Sequence, residues 1–552
     1  MLVEVTLLVV LLALLWHYST KDPPGFPPGP RRFPIIGSKA VINYEGMKEM
    51  QKVYGDVFRT RVGSCNSVYI CKYRLIREAF NKVEFSDRPS WKFIDFFSDG
   101  KEAGVVFRNG PVWVKLRRFL LRHLRDLGMG KSRLDDAILQ EAQELVMNFK
   151  NHVDRPTNFP ISINTAILNV IWQMVASRRY DLNDKQTKEF SDMMVKYQDD
   201  LMFLALPEFF PWLNYLPACI TKRLCRVEQL EASAKLGKAM MEEVIAKHRE
   251  NFDPASPRDL LDEFLLEMKA VEDSSKDVGD TPFNEIDLVR TIFDLFTAGY
   301  DTTANMLRWV ILYMAAYPRV QLKVQEELDE VVPRDTLPSH QYRHRLSYLE
   351  AMIHEVLRVS SIVTGGVPHV TAQDTHFAGY FLPKGTMISG YNLACHMNPE
   401  SWEDPEVFQP ERFLDEVGKF IAPKVDFLPF GVGKRSCLGE ALARMELYIF
   451  SAAILQNFKF ASVSLEQPVD LSPRPISNLM FPKDQLLLIT LREDETLVTR
   501  LYLKSLHQEH LSHRCHHAPP AGKAIATTSR KSHRHHSRNS HRHHQQEQPT
   551  AQ

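Results

Sequence analysis

Ten consecutive residues, Phe430-Gly431-Val432-Gly433-Lys434-Arg435-Ser436-Cys437-Leu438-Gly439, bring together a thiol, a guanidinium and three glycines. Gly431 and Gly433 permit positive φ and leave backbone room for a large flat partner. The following segment, Glu440 to Leu455, has helical periodicity, so Cys437 is expected just ahead of a helix N-terminus. There the helix dipole and the free N–H groups favour a thiolate over a thiol. Arg435 can reach an anionic group at the edge of the same flat object. A thiolate held against a planar, carboxylate-bearing metal complex is the proximal side of a haem, where sulfur pushes electron density towards O–O cleavage.

A second set lies in a long helical run from Leu288 to Tyr317: Ala298-Gly299-Tyr300-Asp301-Thr302-Thr303. A glycine inside a helix costs about 1 kcal/mol relative to alanine, and close approach of a flat partner would account for Gly299. The Thr302 hydroxyl can bond the Ala298 carbonyl and open the helical ladder there. The groove so formed suits O2 and a water, with Asp301 beside it to relay protons. Trp113 and Arg117, one turn apart on one helix face, can hold a carboxylate from two directions. Glu355 and Arg358 form an i,i+3 pair worth only ~0.2–0.5 kcal/mol if exposed, but Pro410-Glu411-Arg412-Phe413 downstream gives that pair a partner.

Together these segments resemble the cytochrome P-450 superfamily. Its F-x-x-G-x-R-x-C-x-G signature is met at Phe430, Gly433, Arg435, Cys437 and Gly439, with the W-x-x-x-R, Ala-Gly-x-Asp-Thr-Thr and E-x-x-R motifs upstream in family order. Leu124-Arg125-Asp126-Leu127-Gly128-Met129-Gly130-Lys131 is similar to the clan of vertebrate family-two enzymes and their arthropod relatives. The resemblance implies haem b (iron protoporphyrin IX) with Cys437 as the axial metal ligand and with Phe430, Gly431 and Ala298 against the macrocycle. It implies propionate contacts from Arg435, Trp113, Arg117, Arg88 and His369, and oxygen activation by Thr302 and Asp301. Arg412 is expected to close a buried triad with Glu355 and Arg358, in which loss of one partner strands a charge at about 3–5 kcal/mol.

The elements that must position these residues are legible too. Tyr54 to Tyr73 reads as a hairpin turning at Gly63-Ser64. Helical periodicity dominates from Trp113 into the 450s, with strand-like runs at Thr364–Val370, Thr375–Leu382 and Gln485–Thr490. The expected fold class is mainly α with a small β portion: one large cytochrome P-450-type haem domain over 39–491, behind a membrane anchor (1–20) and a proline-rich hinge (21–38). Leu2 to Trp16 is apolar but shorter than the ~20 residues of a span, so a secretory h-region is the alternative to an anchor. Basic residues follow it rather than precede it, and no Ala-x-Ala-like site is present, which favours an uncleaved anchor with a cytosolic body. The segment 492–552 is a His-rich low-complexity tail, with nine histidines between His513 and His544 and little apolar sequence to fold around. Metal binding by that tail is the alternative reading.

Basic and acidic residues number 68 each, so no global charge points to nucleic acid as a partner. Seven scattered cysteines without C-x-x-C spacing argue against a disulfide scaffold and against zinc, and for a reducing compartment. By the resemblance, the protein is a monooxygenase of the endoplasmic reticulum membrane. It draws electrons from NADPH through a flavoprotein reductase, with cytochrome b5 as a candidate second donor. Pocket segments are expected at Trp91–Phe107, Leu201–Phe210, Phe293–Ala298, Val363–Val367 and Ser477–Met480. Their aromatic content (Phe93, Phe96, Phe97, Phe203, Phe209, Phe296) fits a lipophilic substrate such as a steroid, sesquiterpenoid, fatty acid or xenobiotic. The alternatives are a peroxide-isomerising synthase, which commonly lacks the Asp/Thr pair present here, and a haem-binding protein without turnover.

Overall fold

The computed structural model describes residues 21–38, 43–126, 132–182, 184–274, 281–423, 425–464, 466–476 and 479–492, with positions 4 and 6. The expected anchor and tail, Leu127–Lys131 and Ser477 lie outside the described residues. Among the described residues, no helix is long and apolar enough to cross a membrane.

The chain is built around the helix Glu285–Ala316. Asn284 caps it by accepting from the Asp287 N–H, and Glu285 and Asp287 complement the dipole in its first turn. The helix is apolar on nearly all sides because it serves two cores at once. Its N-terminal half, through Phe293, Phe296 and Tyr300, packs with Ile171 and Trp172 of the helix Ser162–Ala176 and with Leu116 and Phe119 of the helix Gly110–Asp126. From Ala304 onward, Leu307, Val310 and Met314 pack with Met352 and Val356 of the helix Ser347–Ser360 and with Ile449 and Phe450 of the helix Glu440–Asn457. The two clusters meet at Asp301–Thr303.

A six-stranded sheet flanks the helices in the order Arg32–Phe33, Gly37–Ser38, Val57–Val62, Cys65–Ile70, Met387–Gly390, His369–Val370. Its central hairpin pairs Val62 with Cys65 around Gly63 (φ 56°), as the sequence leads one to expect. Only the contact between Cys65–Ile70 and Met387–Gly390 is parallel. The expected strand Thr364–Val370 shortens to His369–Val370, because Gly366 takes φ 65° and breaks the extended run. Thr375–Leu382 divides into a small hairpin, Thr375–Phe377 with Tyr380–Leu382, about Ala378 and Gly379, both at positive φ.

The triad closes. Arg358 holds both Glu355 oxygens at 2.7 Å, and Arg412 Nε reaches Oε1 at 3.2 Å. The Gln409 N–H also donates to Oε1, while Arg358 Nη1 donates to the carbonyls of His396 and Pro405. Glu355 and Arg358 are completely buried, so each charge depends on the other. Glu355→Gln is expected to cost about 3–5 kcal/mol, because it leaves two guanidiniums uncompensated. Denaturant unfolding of the full chain checks this; an unchanged midpoint contradicts it.

Candidate active site

The helix Glu440–Asn457 starts at the Gly439 cap, and Cys437 lies two residues ahead of it, at the predicted place. The Cys437 N–H donates to the Phe430 carbonyl at 2.9 Å, closing the loop upon itself. Gly431 (φ 68°) and Gly433 (φ 84°) both use the left-handed region. What crowds Gly433, however, is protein rather than a ligand: a Cβ there would stand 2.2 Å from the Phe80 carbonyl oxygen. Cys437 keeps accessible surface, although protein crowds its sulfur from most directions. Burial pushes the thiol up, and the Gly439 N–H, Arg117 and Arg444 only partly pull it back. The helix-terminal N–H groups favour the thiolate, as expected, but are outweighed by burial. A metal cation against the sulfur would deprotonate it outright.

Three guanidiniums and two aromatic nitrogens gather beside this loop. Arg435 stacks on the Trp113 indole, its carbon 3.5 Å from the ring centroid. Its hydrogen bonds go to the carbonyls of Ser86, Val105 and Arg108 and to Asn109, so it ties neighbouring segments together while keeping its charge. Arg117 donates to the Ser436 carbonyl at 2.6 Å. Arg88 donates to the carbonyls of Val367 and Pro368. Burial and mutual repulsion lower Arg88 to about 9 and Arg435 to about 8; Asp87 only partly offsets the latter. Burial also lowers Arg117. Two buried donors here, Trp113 Nε1 and Arg88 Nε, have no partner among the described residues.

Clustered cations with orphaned donors fit an anionic ligand, and two carboxylates on a flat macrocycle suit them. His369 stacks on Phe80 at 4.0 Å and donates from Nδ1 to the Phe85 carbonyl. Nε2 can then donate to a carboxylate only in the imidazolium form, which burial, Arg88 and Arg435 oppose.

On the central helix, Thr302 donates to the Ala298 carbonyl at 2.7 Å, as expected. Leu295, Ala298, Gly299 and Thr302 form the one less buried stripe of this stretch, at i, i+3, i+4 and i+7. At Gly299 a Cβ would meet the end of the Ile171 side chain, Cδ1 at 2.8 Å, which can turn aside, so the neighbouring helix comes close without itself requiring glycine. Asp301 is buried, accepting from Asn164 at 3.3 Å and from Gln198 at 2.6 Å. Burial raises its carboxyl to about 6, with Arg308 and Gln198 opposing the rise.

Of the expected pocket aromatics, Phe93, Phe97 and Phe296 are buried, Phe97 stacks on Phe293 at 4.1 Å, and Trp91 gathers Phe93, Phe107 and Phe209. Phe96 instead faces solvent, and Phe203 lies under the Arg226 guanidinium. A cleft of about 680 Å³ lined by His340, Arg343, His344 and Lys419 contains none of these residues.

The family model for Cytochrome P450 matches residues 27–489, most of the chain. The chain belongs to the cytochrome P450 family. It is 44% identical to Cytochrome P450 2L1 of Panulirus argus over 80% of this chain and 90% of that protein. It is 35% identical to Cytochrome P450 2J3 of Rattus norvegicus and to Cytochrome P450 2C39 of Mus musculus, each over 85% of this chain and more than 90% of the relative. The chain is therefore a P450 monooxygenase of the family-two type, as the motifs led one to expect. One feature of this P450 site escaped sequence reading: the Trp113–Arg435 stack, which joins residues far apart in the chain.

Proposed function

We propose that Cys437 is the axial ligand of haem b and that this P450 inserts one atom of O2 into an uncharged lipophilic molecule, with electrons from NADPH by way of a flavoprotein reductase. The observation that carries the reading is the Cys437 loop, which keeps accessible surface, beside the buried Arg88, the half-buried Arg117 and Arg435, and two unpartnered buried donors. Bound haem supplies O2 activation; the chain supplies the rest. Trp113, Arg88, Arg117 and Arg435 would hold the propionate edge, His369 would join them only when protonated, and Phe430, Gly431 and Ala298 would lie against the macrocycle. Thr302 and Asp301 carry protons to the oxygen being reduced. A carboxyl near 6 is well placed for that exchange at neutral pH.

The charged side chains near the aromatic set neutralise one another, which favours an uncharged substrate. Arg290 pairs with Asp294 at 2.8 Å, and Arg108 pairs with Asp287 at 3.0 Å. Membrane contact near an anchored N-terminus is supported by exposed Ile35, Ile36, Trp212, Tyr215 and Ile220. The segments that carry them are joined through Gly63 to Ile36 and Ser64 to Phe209. Purified full-length protein with reductase and a panel of lipophiles tests the reading: one member should shift the haem spectrum and raise both NADPH consumption and oxygenated product. No consumption with any lipophile would sink it.

The docking face for the reductase is the outer side of the helix Gly110–Asp126, where Lys115, Arg118, Arg122 and Arg125 are exposed at i, i+3, i+7 and i+10. Its inner side carries Trp113 and Arg117 to the Cys437 loop. Reversing Arg122 and Arg125 to Glu should slow reduction ~10-fold or more at low salt and flatten its dependence on ionic strength. Arg122 also loses its contact with Glu267 (3.2 Å), so stopped-flow reduction should be read beside thermal stability. An unchanged salt profile places docking elsewhere.

A further inference from the structure

Arg444 stands in the second turn of the helix that follows Cys437, and three groups hold its guanidinium. Its Nε donates to Glu440 Oε1 at 2.9 Å and its Nη1 donates to His354 Nε2 at 2.9 Å. Its guanidinium carbon lies over the Phe430 ring, 4.7 Å from the centroid. The Glu440 contact does not account for this arrangement, because an exposed i,i+4 pair contributes less than the rotamer freedom an arginine gives up. What holds the side chain inward is His354, buried on the helix Ser347–Ser360.

The tautomer of His354 follows from its partners. Nδ1 faces the Glu350 carbonyl at 2.8 Å and must carry the proton, so Nε2 presents a lone pair, to which a guanidinium can only donate. Burial lowers His354 to about 4 against the pull of Glu350, and Arg444 adds to the fall, so the ring remains an acceptor at neutral pH. A carboxylate in that place would cancel the charge of Arg444. A neutral ring fixes the guanidinium and leaves its charge in force.

Phe430 joins this cation to the thiol loop: its ring lies under Arg444, and its carbonyl accepts from the Cys437 N–H at 2.9 Å. After burial and the Gly439 N–H, the groups acting on the Cys437 thiol are Glu440, which pushes it up, and Arg117 and Arg444, which pull it down. A positive charge near the sulfur favours each state with more negative charge there, thiolate over thiol and reduced haem over oxidised.

We propose that Arg444 is a positioning residue of the proximal loop: held by His354 Nε2, it braces the Phe430 ring and keeps a positive charge on the sulfur side that eases reduction of the haem, a role that rests on Cys437 as the axial ligand. Redox titration of the haem-loaded full-length protein tests it. At a fixed applied potential, Arg444→Gln should lower the ferrous-to-ferric ratio about 10-fold, which is ~59 mV for a one-electron couple. The fall should persist at high salt, since the charge is half-buried. Arg444→Lys keeps the charge and should recover most of the ratio. His354→Leu releases the guanidinium and should lower the ratio too, and adding Arg444→Gln to it should lower it no further. Glu440→Gln removes the opposing charge and should raise it. A wild-type ratio in Arg444→Gln, a Lys variant as low as Gln, additive losses at His354 and Arg444, or a fall in Glu440→Gln would each overturn the proposal. If His354→Leu does not fold, the Arg444 and Glu440 variants decide. The CO-bound wild type separates this role from the reading beneath it. Without a red-shifted Soret band both fall, whereas that band with an unmoved ratio in Arg444→Gln removes the role of Arg444 alone.

Discussion

In the reduced, CO-bound protein, Cys437→Ser is expected to remove the red-shifted Soret band of a thiolate-ligated haem, and turnover with it. A serine hydroxyl fits the same loop, because the backbone bond from residue 437 to the Phe430 carbonyl and the positive φ of Gly431 and Gly433 do not depend on the side chain. The cation cluster is also untouched, so haem content should fall far less than activity. What is lost is the electron donation of sulfur, which an alcohol oxygen does not replace. Absorption difference spectra of wild type and variant, scaled to haem content, measure the effect. A variant with normal thiolate ligation would remove Cys437 from its assigned role and force a search among Cys65, Cys219 and the buried cysteines.

The second large effect is expected at Thr302. Thr302→Ala should keep haem and bind substrate normally, continue to consume NADPH, and release the electrons as hydrogen peroxide. A positioned proton donor contributes typically 10²–10⁴-fold, so product formation should fall by at least about 10²-fold. Asp301→Asn should slow the whole cycle instead, because its partners Asn164 and Gln198 remain while the exchangeable proton goes. Since the Asp301 carboxyl stands at about 6, raised from 3.8 by burial, the wild-type pH–rate profile should bend near 6 and the Asn variant should lose that bend. The same shift bears on stability. The folded state holds this proton more tightly than the unfolded chain does, so the contribution is complete below about 4 and is lost as pH rises through about 6. Wild-type coupling in Thr302→Ala would show that another group carries the proton.

Local chemistry is what the sequence alone determined. The Cys437 loop, the Thr302–Ala298 back-bond and the Glu355–Arg358 pair depend on neighbours within a few residues, or on a fixed helical offset. Even Arg412 was reachable, because the resemblance carried its partner's position. Periodicity likewise placed the long helix within a few residues of Glu285–Ala316 and the hairpin turn at Gly63. Motif residues could be named, but the contacts that occupy them could not.

Those contacts were decided by tertiary packing. Gly299 and Gly433 look alike in sequence as sites of close approach, yet a Cβ at Gly433 would strike the Phe80 backbone carbonyl, whereas one at Gly299 would meet only the end of the Ile171 side chain. Arg435 was expected to reach outward to an anion; the fold turns its hydrogen bonds onto four neighbouring acceptors and lays it on Trp113. The burial that pushes the Cys437 thiol up comes from distant segments, whereas the helix dipole that opposes it is legible locally. Sequence spacing dictates what a residue can do within its own turn of chain, and the burial that sets its charge comes from segments hundreds of residues away.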